Sequence, residues 1–292
     1  MMDDQPTIGL IAGWGDYPRA VAEALRRQGY RIYGLGIKDH ANRRLSDLCE
    51  AYHEVGLARL GAALRFFHRH RVTRATMAGK IHKVRLFERF HWIKHIPDWR
   101  CVRTFAPHFI TGSKDRKDDS LLLAVVEAFA AEGIHFAPAT DFAPELLVKY
   151  GLIAGRLTRA QEQDIAFGWT LAKELGRLDC GQSVAVKGRA VLALEAIEGT
   201  DECIRRAGQL CTEGGFTVVK VAKPQQDMRF DVPTIGVQTI ETLVEAGGRV
   251  LAIEAGKTII IDEPQVAALA RRHRITVVAV ENGDASAFAD AA

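Results

Sequence analysis

No apolar run in this sequence approaches the ~20 residues that a membrane-crossing helix needs; the longest, Leu121 to Val126 and Ile259 to Ile261 among them, fall far short. The opening Met-Met-Asp-Asp-Gln-Pro has neither a basic n-region nor an apolar h-region, so a cytoplasmic protein is expected. Cysteine is scarce and scattered. Cys49, Cys101, Cys180, Cys203 and Cys211 are odd in number and never in C-x-x-C spacing, which argues against a disulfide framework or a zinc site and predicts reduced thiols used as small core residues. With 26 glycines and 9 prolines, and no internal repeat or low-complexity tract, disordered and collagen-like classes are excluded. There is no G-x-S-x-G elbow, Walker loop, H-E-x-x-H or histidine-rich metal signature, so nucleophilic serine chemistry has no support, and His68 and His70 read as surface residues.

What remains is an ordinary globular composition, 48% apolar and 26% charged, in a chain of 292 residues. That exceeds the usual ~100–200 residues per domain, so two domains or one large one is the starting expectation. The net charge of +3 conceals a local excess: from Arg65 to Arg103 there are 11 Lys/Arg against two acids, Glu88 and Asp98, with five histidines besides. Such a stretch suits a phosphate-bearing partner, either nucleic acid, an anionic membrane surface or a phosphorylated substrate; the alternative is a solvated helix face. Interleaved Phe87, Phe90, Trp92, Ile93, Ile96 and Trp99 favour a segment that lies on lipid headgroups.

The first half alternates strand-like and helical patterns. Ile8–Ala12, Arg31–Ile37 and Ala75–Met77 read as strands, and 18–28, 60–70 and 121–131 as helices, the last ending at Gly133. Strands separated by helices imply parallel pairing, hence a doubly wound, Rossmann-like α/β domain over 1–137. Pro138, Pro144, Gly151 and Gly155 interrupt the pattern, which places a linker at 138–156. Over 157–292 a second α/β domain with a mixed sheet is expected. Thr158-Arg-Ala-Gln161 is a capping box opening a helix to Gly176, 184–186 and 191–194 flank a glycine turn as a hairpin, and Thr200 is placed to cap a helix reaching about Glu213. Phe216–Ala222, 250–253, 258–261 and 276–280 read as strands, with helices near 238–246 and 263–273.

Several groups of residues could carry chemistry. Gly13-Trp-Gly15 follows the first strand and precedes the first helix, where open α/β sheets bind ligands; it is either a nucleotide or sugar-phosphate site or a structural tight turn. Lys80 ends a strand at the same carboxyl edge. Lys117-Asp118-Asp119 stands before a helix, where the aspartates either complement the helix dipole or join the lysine in contacting a phosphate and a ribose, base or metal. The densest group is Lys223-Pro-Gln-Gln-Asp227-Met-Arg229-Phe-Asp231-Val-Pro-Thr234-Ile-Gly236. It should be a fixed loop whose two aspartates offer hard oxygen ligands for Mg²⁺ and whose lysine and arginine face phosphate oxygens. Asp179-Cys-Gly-Gln182 and Glu195-Ala-Ile-Glu198-Gly-Thr200-Asp201 cluster carboxylates and amides around the hairpin. Glu195 and Glu198 are alternatively exposed strand-end charges, and Thr200 and Asp201 a helix cap.

Taken together, the Gly-x-Gly after Ile8–Ala12, Lys117-Asp-Asp119, Gly176-Arg-Leu-Asp-Cys-Gly-Gln182, Glu195 to Asp201 and Lys223 to Gly236 resemble the UDP-2,3-diacylglucosamine pyrophosphatases of lipid A biosynthesis that are unrelated to calcineurin-like phosphoesterases. The resemblance covers nearly the whole chain. It implies hydrolysis of UDP-2,3-diacylglucosamine to UMP and 2,3-diacylglucosamine 1-phosphate with a divalent metal, Mg²⁺ or Mn²⁺, by two α/β domains that hold the lipid nucleotide between them. The family's essential aspartate falls on Asp231. Substrate contacts carry over to Gly13, Lys117, Asp118, Asp119, Gln182, Thr200 and Asp201, and Thr234 stands in the aspartate's own motif. Asp231, with Asp227 or Glu198 as helper, would hold the metal, while Lys223 and Arg229 would clamp phosphate. Peripheral contact with the inner membrane is expected through the basic stretch, and a homodimer is allowed. The rival reading is a non-catalytic nucleotide-sugar or nucleic-acid binding protein; the lack of RNA- and DNA-binding signatures counts against it.

Overall fold

The structure, a computed structural model, describes residues 5–79, 98–110 and 118–289. Its first sheet grows from a run that can only be interior. In β1 (Thr7–Ala12) Ile8, Leu10 and Ala12 are completely buried, and Gly9 is small because a Cβ there would meet the Phe67 ring at 2.8 Å. The other strands are β2 (Arg31–Ile37), β3 (Ala51–Val55), β4 (Arg74–Ala78) and β5 (His135–Phe136), in the order β3-β2-β1-β4-β5, all parallel. The helices are α1 (Tyr17–Arg27), α2 (Leu60–Arg69), α3 (Trp99–Ile110), α4 (Asp118–Ala130) and the short α5 (Ala139–Phe142). α1 begins with Pro18 in its first turn and buries Val21, Ala22, Ala24 and Leu25, spaced as one helical face. On the opposite face of the sheet, Leu64 and Phe67 of α2 and Phe129 of α4 pack with Leu35, Val55 and Phe136.

The second sheet has six strands, β6 (Gly151–Ala154), β7 (Ser183–Lys187), β8 (Ala190–Leu194), β9 (Thr217–Lys220), β11 (Val250–Glu254) and β13 (Thr276–Val280), ordered β6-β13-β11-β9-β7-β8. β9, β11 and β13 are parallel, while β6, β7 and β8 join antiparallel, which gives the expected mixed sheet. A separate parallel pair joins β10 (Thr234–Ile235) to β12 (Ile259–Ile260). Alternation along the strands sorts the two faces. Val184, Val186, Val219, Ala252 and Val278 pack under α6 (Arg159–Arg177) with Ile165 and Trp169. Ala185, Val218, Leu251, Ile253 and Val277 face α7 (Thr200–Leu210), α8 (Val237–Ala246) and α9 (Glu263–Arg272) through Ile204, Leu243 and Val266.

Chain packing divides into two units, Met1–Glu145 with Asp227–Phe230, and Leu146–Gln226 with Asp231–Ala292. The stretch expected as linker, 138–156, carries α5, a 3-10 turn at Pro144–Leu146 and β6, an edge strand of the second sheet. The capping box forms as expected: Thr158 accepts from the Gln161 backbone and Gln161 returns the bond. The hairpin turn has Gly188 and Arg189 both at positive φ, and buried Asp164 of α6 clasps it by accepting from both their backbone N–H groups, at 3.0 and 2.6 Å. All five cysteines are free; Cys101 and Cys203 are buried, whereas Cys180 is exposed, contrary to the expectation that each thiol fills the core. Among the described residues, no helix is long and apolar enough to cross a membrane.

Candidate active site

In the first unit the strand order reverses between β1 and β4, hydrogen-bonded neighbours whose connections leave in opposite directions, and open α/β sheets bind ligands beyond the carboxyl ends at such a point. Gly13 and Gly15 sit there. The Gly13 N–H donates to the Ala78 carbonyl at 2.8 Å, stitching the two strand ends together. Gly79 has φ +94° and lies so close that a Cβ would come within 2.9 Å of the Gly13 carbonyl carbon and the Trp14 oxygen, which only glycine permits. Gly15 is also at positive φ, +101°, but faces open space. It borders a small pocket with Asp16, Arg19, Asn42 and Arg44. Asp118 and Asp119 are the first two residues of α4. Lys80, Lys117 and the basic-aromatic residues 80–97 lie outside the described residues.

The loop after β9 is fastened at its start to the end of α6. Gln225 Nε2 donates to the Gly176 and Arg177 carbonyls, Lys223 Nζ to Asp179 Oδ1 at 2.8 Å, and a side chain at Gly176 would press on Lys223 and Pro224. Gln226 then spans the loop: its Oε1 accepts from the Lys223 N–H at 2.8 Å and its Nε2 donates to Asp231 Oδ2 at 2.6 Å. Asp231 is half-buried, and this amide fixes the direction of its carboxylate. The residues between belong to the first unit, where Phe230 packs against the Phe67 and Phe129 cluster. Asp227 and Arg229 form a forked pair: Arg229 Nε lies 2.9 and 3.0 Å from the two carboxylate oxygens, Nη2 also bonds Oδ2, and the Arg229 N–H adds a bond at 3.0 Å. The guanidinium holds the Asp227 carboxyl below its ordinary range, and the carboxylate raises the arginine.

The hairpin group resolves differently from the sequence reading. Thr200 does not cap α7; Gly199 takes the N-cap position with φ +84° and Thr200 begins the helix, with Asp201 in its first turn. The Thr200 hydroxyl is turned inward, 3.2 Å from each of Ser183 Oγ, Glu195 Oε1 and Lys220 Nζ. Glu195 is buried rather than a solvated strand-end charge, and its other oxygen accepts from the Gln182 N–H at 3.3 Å. Gln182 Oε1 is buried and has no hydrogen-bond partner among the described residues. Lys220 Nζ also donates to the Thr234 carbonyl at 3.1 Å. Glu198 instead pairs at the surface with Arg206; its own backbone amide first, and then that guanidinium, hold its carboxyl below the ordinary range. Glu195 and Lys220 were not picked out as a pair from sequence, although a lysine inside the apolar run Val218-Val-Lys-Val-Ala222 is a visible signal.

A metal can therefore be tested against the donor set. Asp227 is taken up by Arg229 and Glu198 by Arg206, and among the described residues no group of three or more His, Cys, Asp or Glu side chains could hold an ion. That arrangement does not suit an all-protein cage. A single half-buried carboxylate such as Asp231 is compatible with the way Mg²⁺ is commonly bound, through one or two carboxylates completed by waters and substrate phosphates.

Comparison with known proteins covers both units. Residues 7–146 match the model of the LpxI N-terminal domain and 149–278 that of the LpxI C-terminal domain. The chain is 30% identical over 283 residues to the UDP-2,3-diacylglucosamine pyrophosphatase LpxI of Caulobacter vibrioides, an alignment that covers 94% of this chain and 97% of that protein. Matched across both halves by the family's two domain models and by this relative over nearly its whole length, the chain belongs to the LpxI family.

Proposed function

We propose that the chain hydrolyses the pyrophosphate of UDP-2,3-diacylglucosamine, releasing UMP and 2,3-diacylglucosamine 1-phosphate, in lipid A biosynthesis. The observation that carries the mechanism is Asp231, held by the Gln226 amide inside the motif that supplied the resemblance. The reaction adds the oxygen of water to one phosphorus and breaks the bridging P–O bond. An ionised carboxylate has about four lone-pair sites, of which Gln226 occupies one, so Asp231 can still hold an ion or receive the proton of the attacking water. Mg²⁺ bound by Asp231 and the diphosphate would supply charge neutralisation and a more acidic water. Lys223 and Arg229 already hold Asp179 and Asp227, so they fix the loop first and meet phosphate only alongside those partners. Purified protein incubated with UDP-2,3-diacylglucosamine and Mg²⁺ should release UMP, and Asp231→Asn should fold normally and lose turnover by several orders of magnitude. Wild-type activity in that variant would remove Asp231 from the mechanism.

The lipid substrate must be drawn from a bilayer, and the described part of the basic stretch suits that contact. Asp98 ties α2 to α3 by accepting from the Gly61, Ala62 and Cys101 N–H groups. α3 then presents Trp99, 77% exposed, with Val102 and Arg103 three and four residues on. Arg65 and Arg69 are exposed on α2, whereas the exposed His68 and Arg100 both face Glu132, so Arg65, Arg69 and Arg103 are the cations that count here. Exposed tryptophan among cations fits an anionic headgroup layer, where each cation near the surface contributes about 1 kcal/mol. Flotation with phosphatidylglycerol-containing vesicles should carry the protein at low salt, and Trp99→Ala with Arg103→Glu should weaken it; no flotation of the wild type would sink the membrane reading.

A further inference from the structure

Lys220 and Glu195 are each only 7% exposed, and buried ionic groups are costly unless every one of their hydrogen-bonding sites is used. Here the two groups meet on one hydroxyl, that of Thr200. An ammonium only donates, so at 3.2 Å the Lys220 Nζ must give its proton to Thr200 Oγ1. The Thr200 O–H can then donate to Glu195 Oε1 at 3.2 Å, and Ser183 Oγ lies 3.2 Å from Thr200 Oγ1 as a further hydroxyl partner, where either oxygen can be the donor. The hydroxyl thus has three protein neighbours at hydrogen-bond distance. The same two ionic side chains reach further, Glu195 Oε2 to the Gln182 N–H and Lys220 Nζ to the Thr234 carbonyl, three residues past Asp231.

We propose that Lys220 and Glu195 are positioning residues for the hydrolysis: through the Thr200 hydroxyl they lock the 182–183 strand entry, the start of α7 and the far end of the Asp231 loop into one rigid piece, and touch no substrate themselves. This rests on the functional reading above, in which Asp231 carries the chemistry. Lys220 ends β9 and Thr234 begins β10, so the ammonium bridges the two strands that bound the loop. Loosening that bridge leaves Gln226 and the fastening to α6 in place at one end of the loop and releases the other.

The full-length Lys220→Met, Glu195→Gln, Thr200→Val and Thr200→Ser variants test it, with steady-state UMP release, melting temperature and amide hydrogen exchange measured on each. Misplacing a catalytic group by about 1 Å costs on the order of 100-fold, so Lys220→Met and Thr200→Val should lose 10- to 100-fold in kcat with KM changed by less than about threefold. Thr200→Ser keeps the hydroxyl and should recover most of what Thr200→Val loses. Exchange should quicken in 195–203 and 231–237 and stay as in wild type in β11 and β13. Activity of Lys220→Met within about threefold of wild type, or faster exchange spread evenly through the second sheet, overturns the proposal. Should Lys220→Met not fold, the Thr200 pair decides the matter: equal loss in Val and Ser refutes it. If the wild type itself releases no UMP, the functional reading fails separately, and the exchange pattern still decides whether this network holds the loop.

Discussion

Gln226 offers the sharpest test of how the loop is built, because one side chain makes two bonds that can be removed together. Gln226→Leu keeps the approximate volume but deletes the 2.8 Å bond from the Lys223 N–H and the 2.6 Å bond to Asp231. A neutral hydrogen bond contributes about 1 kcal/mol and one to a charged group about 1.5–3. Both partners are only part-buried, so water replaces some of each, and a net loss of about 1–2 kcal/mol is expected. For a domain of this size that lowers the melting temperature by roughly 2–8 °C. Activity should suffer more than stability: with its carboxylate unfixed, Asp231 should lose at least about tenfold in kcat while KM hardly moves. Gln226→Glu adds a sign. Two carboxylates at hydrogen-bond distance are compatible only while they share a proton, so this variant should recover activity toward acidic pH and lose it as pH rises. Calorimetry and a pH–rate profile of both variants check these outcomes. Wild-type kcat in Gln226→Leu, with a pH profile of Gln226→Glu unchanged from wild type, would refute the reasoning that this amide aims Asp231.

Arg229→Met should destabilise the protein at neutral pH by about 1 kcal/mol, the value of a part-exposed but well-aligned ion pair. Since the folded Asp227 carboxyl is held below its unfolded value of about 3.9, that contribution is present above this pH and disappears as pH falls through the folded value, so the difference in melting temperature between variant and wild type should shrink in acid. Thiol labelling followed by mass spectrometry should modify Cys180 first, because it is exposed, and leave Cys203 untouched until unfolding, because burial pushes its thiol up to about 12.

Local rules determined much of this protein from the sequence. The capping box at Thr158, the proline-led start of α1, the glycine hairpin turn and the strand at 276–280 depend on groups a few residues apart or on one apolar face, and they stand where the pattern put them. β3 escaped because Ala-Tyr-His-Glu-Val is a half-exposed edge strand with little apolar signal, and α3 because its helical period is overlaid by the basic and aromatic composition around it. The stretch at 223–236 was also legible as a fixed loop between a strand and a helix. Tertiary structure alone decided who bonds to whom: that Asp227 answers Arg229, that Lys223 answers Asp179, that four loop residues fold with the first unit, and that Thr200 looks inward to Glu195 and Lys220 rather than capping its helix. The physical reason is range. A cap or a periodic face is settled by neighbours in the chain, whereas a buried ion accepts any partner that topology delivers, and Lys220 finds its partners 20 residues before and 14 after.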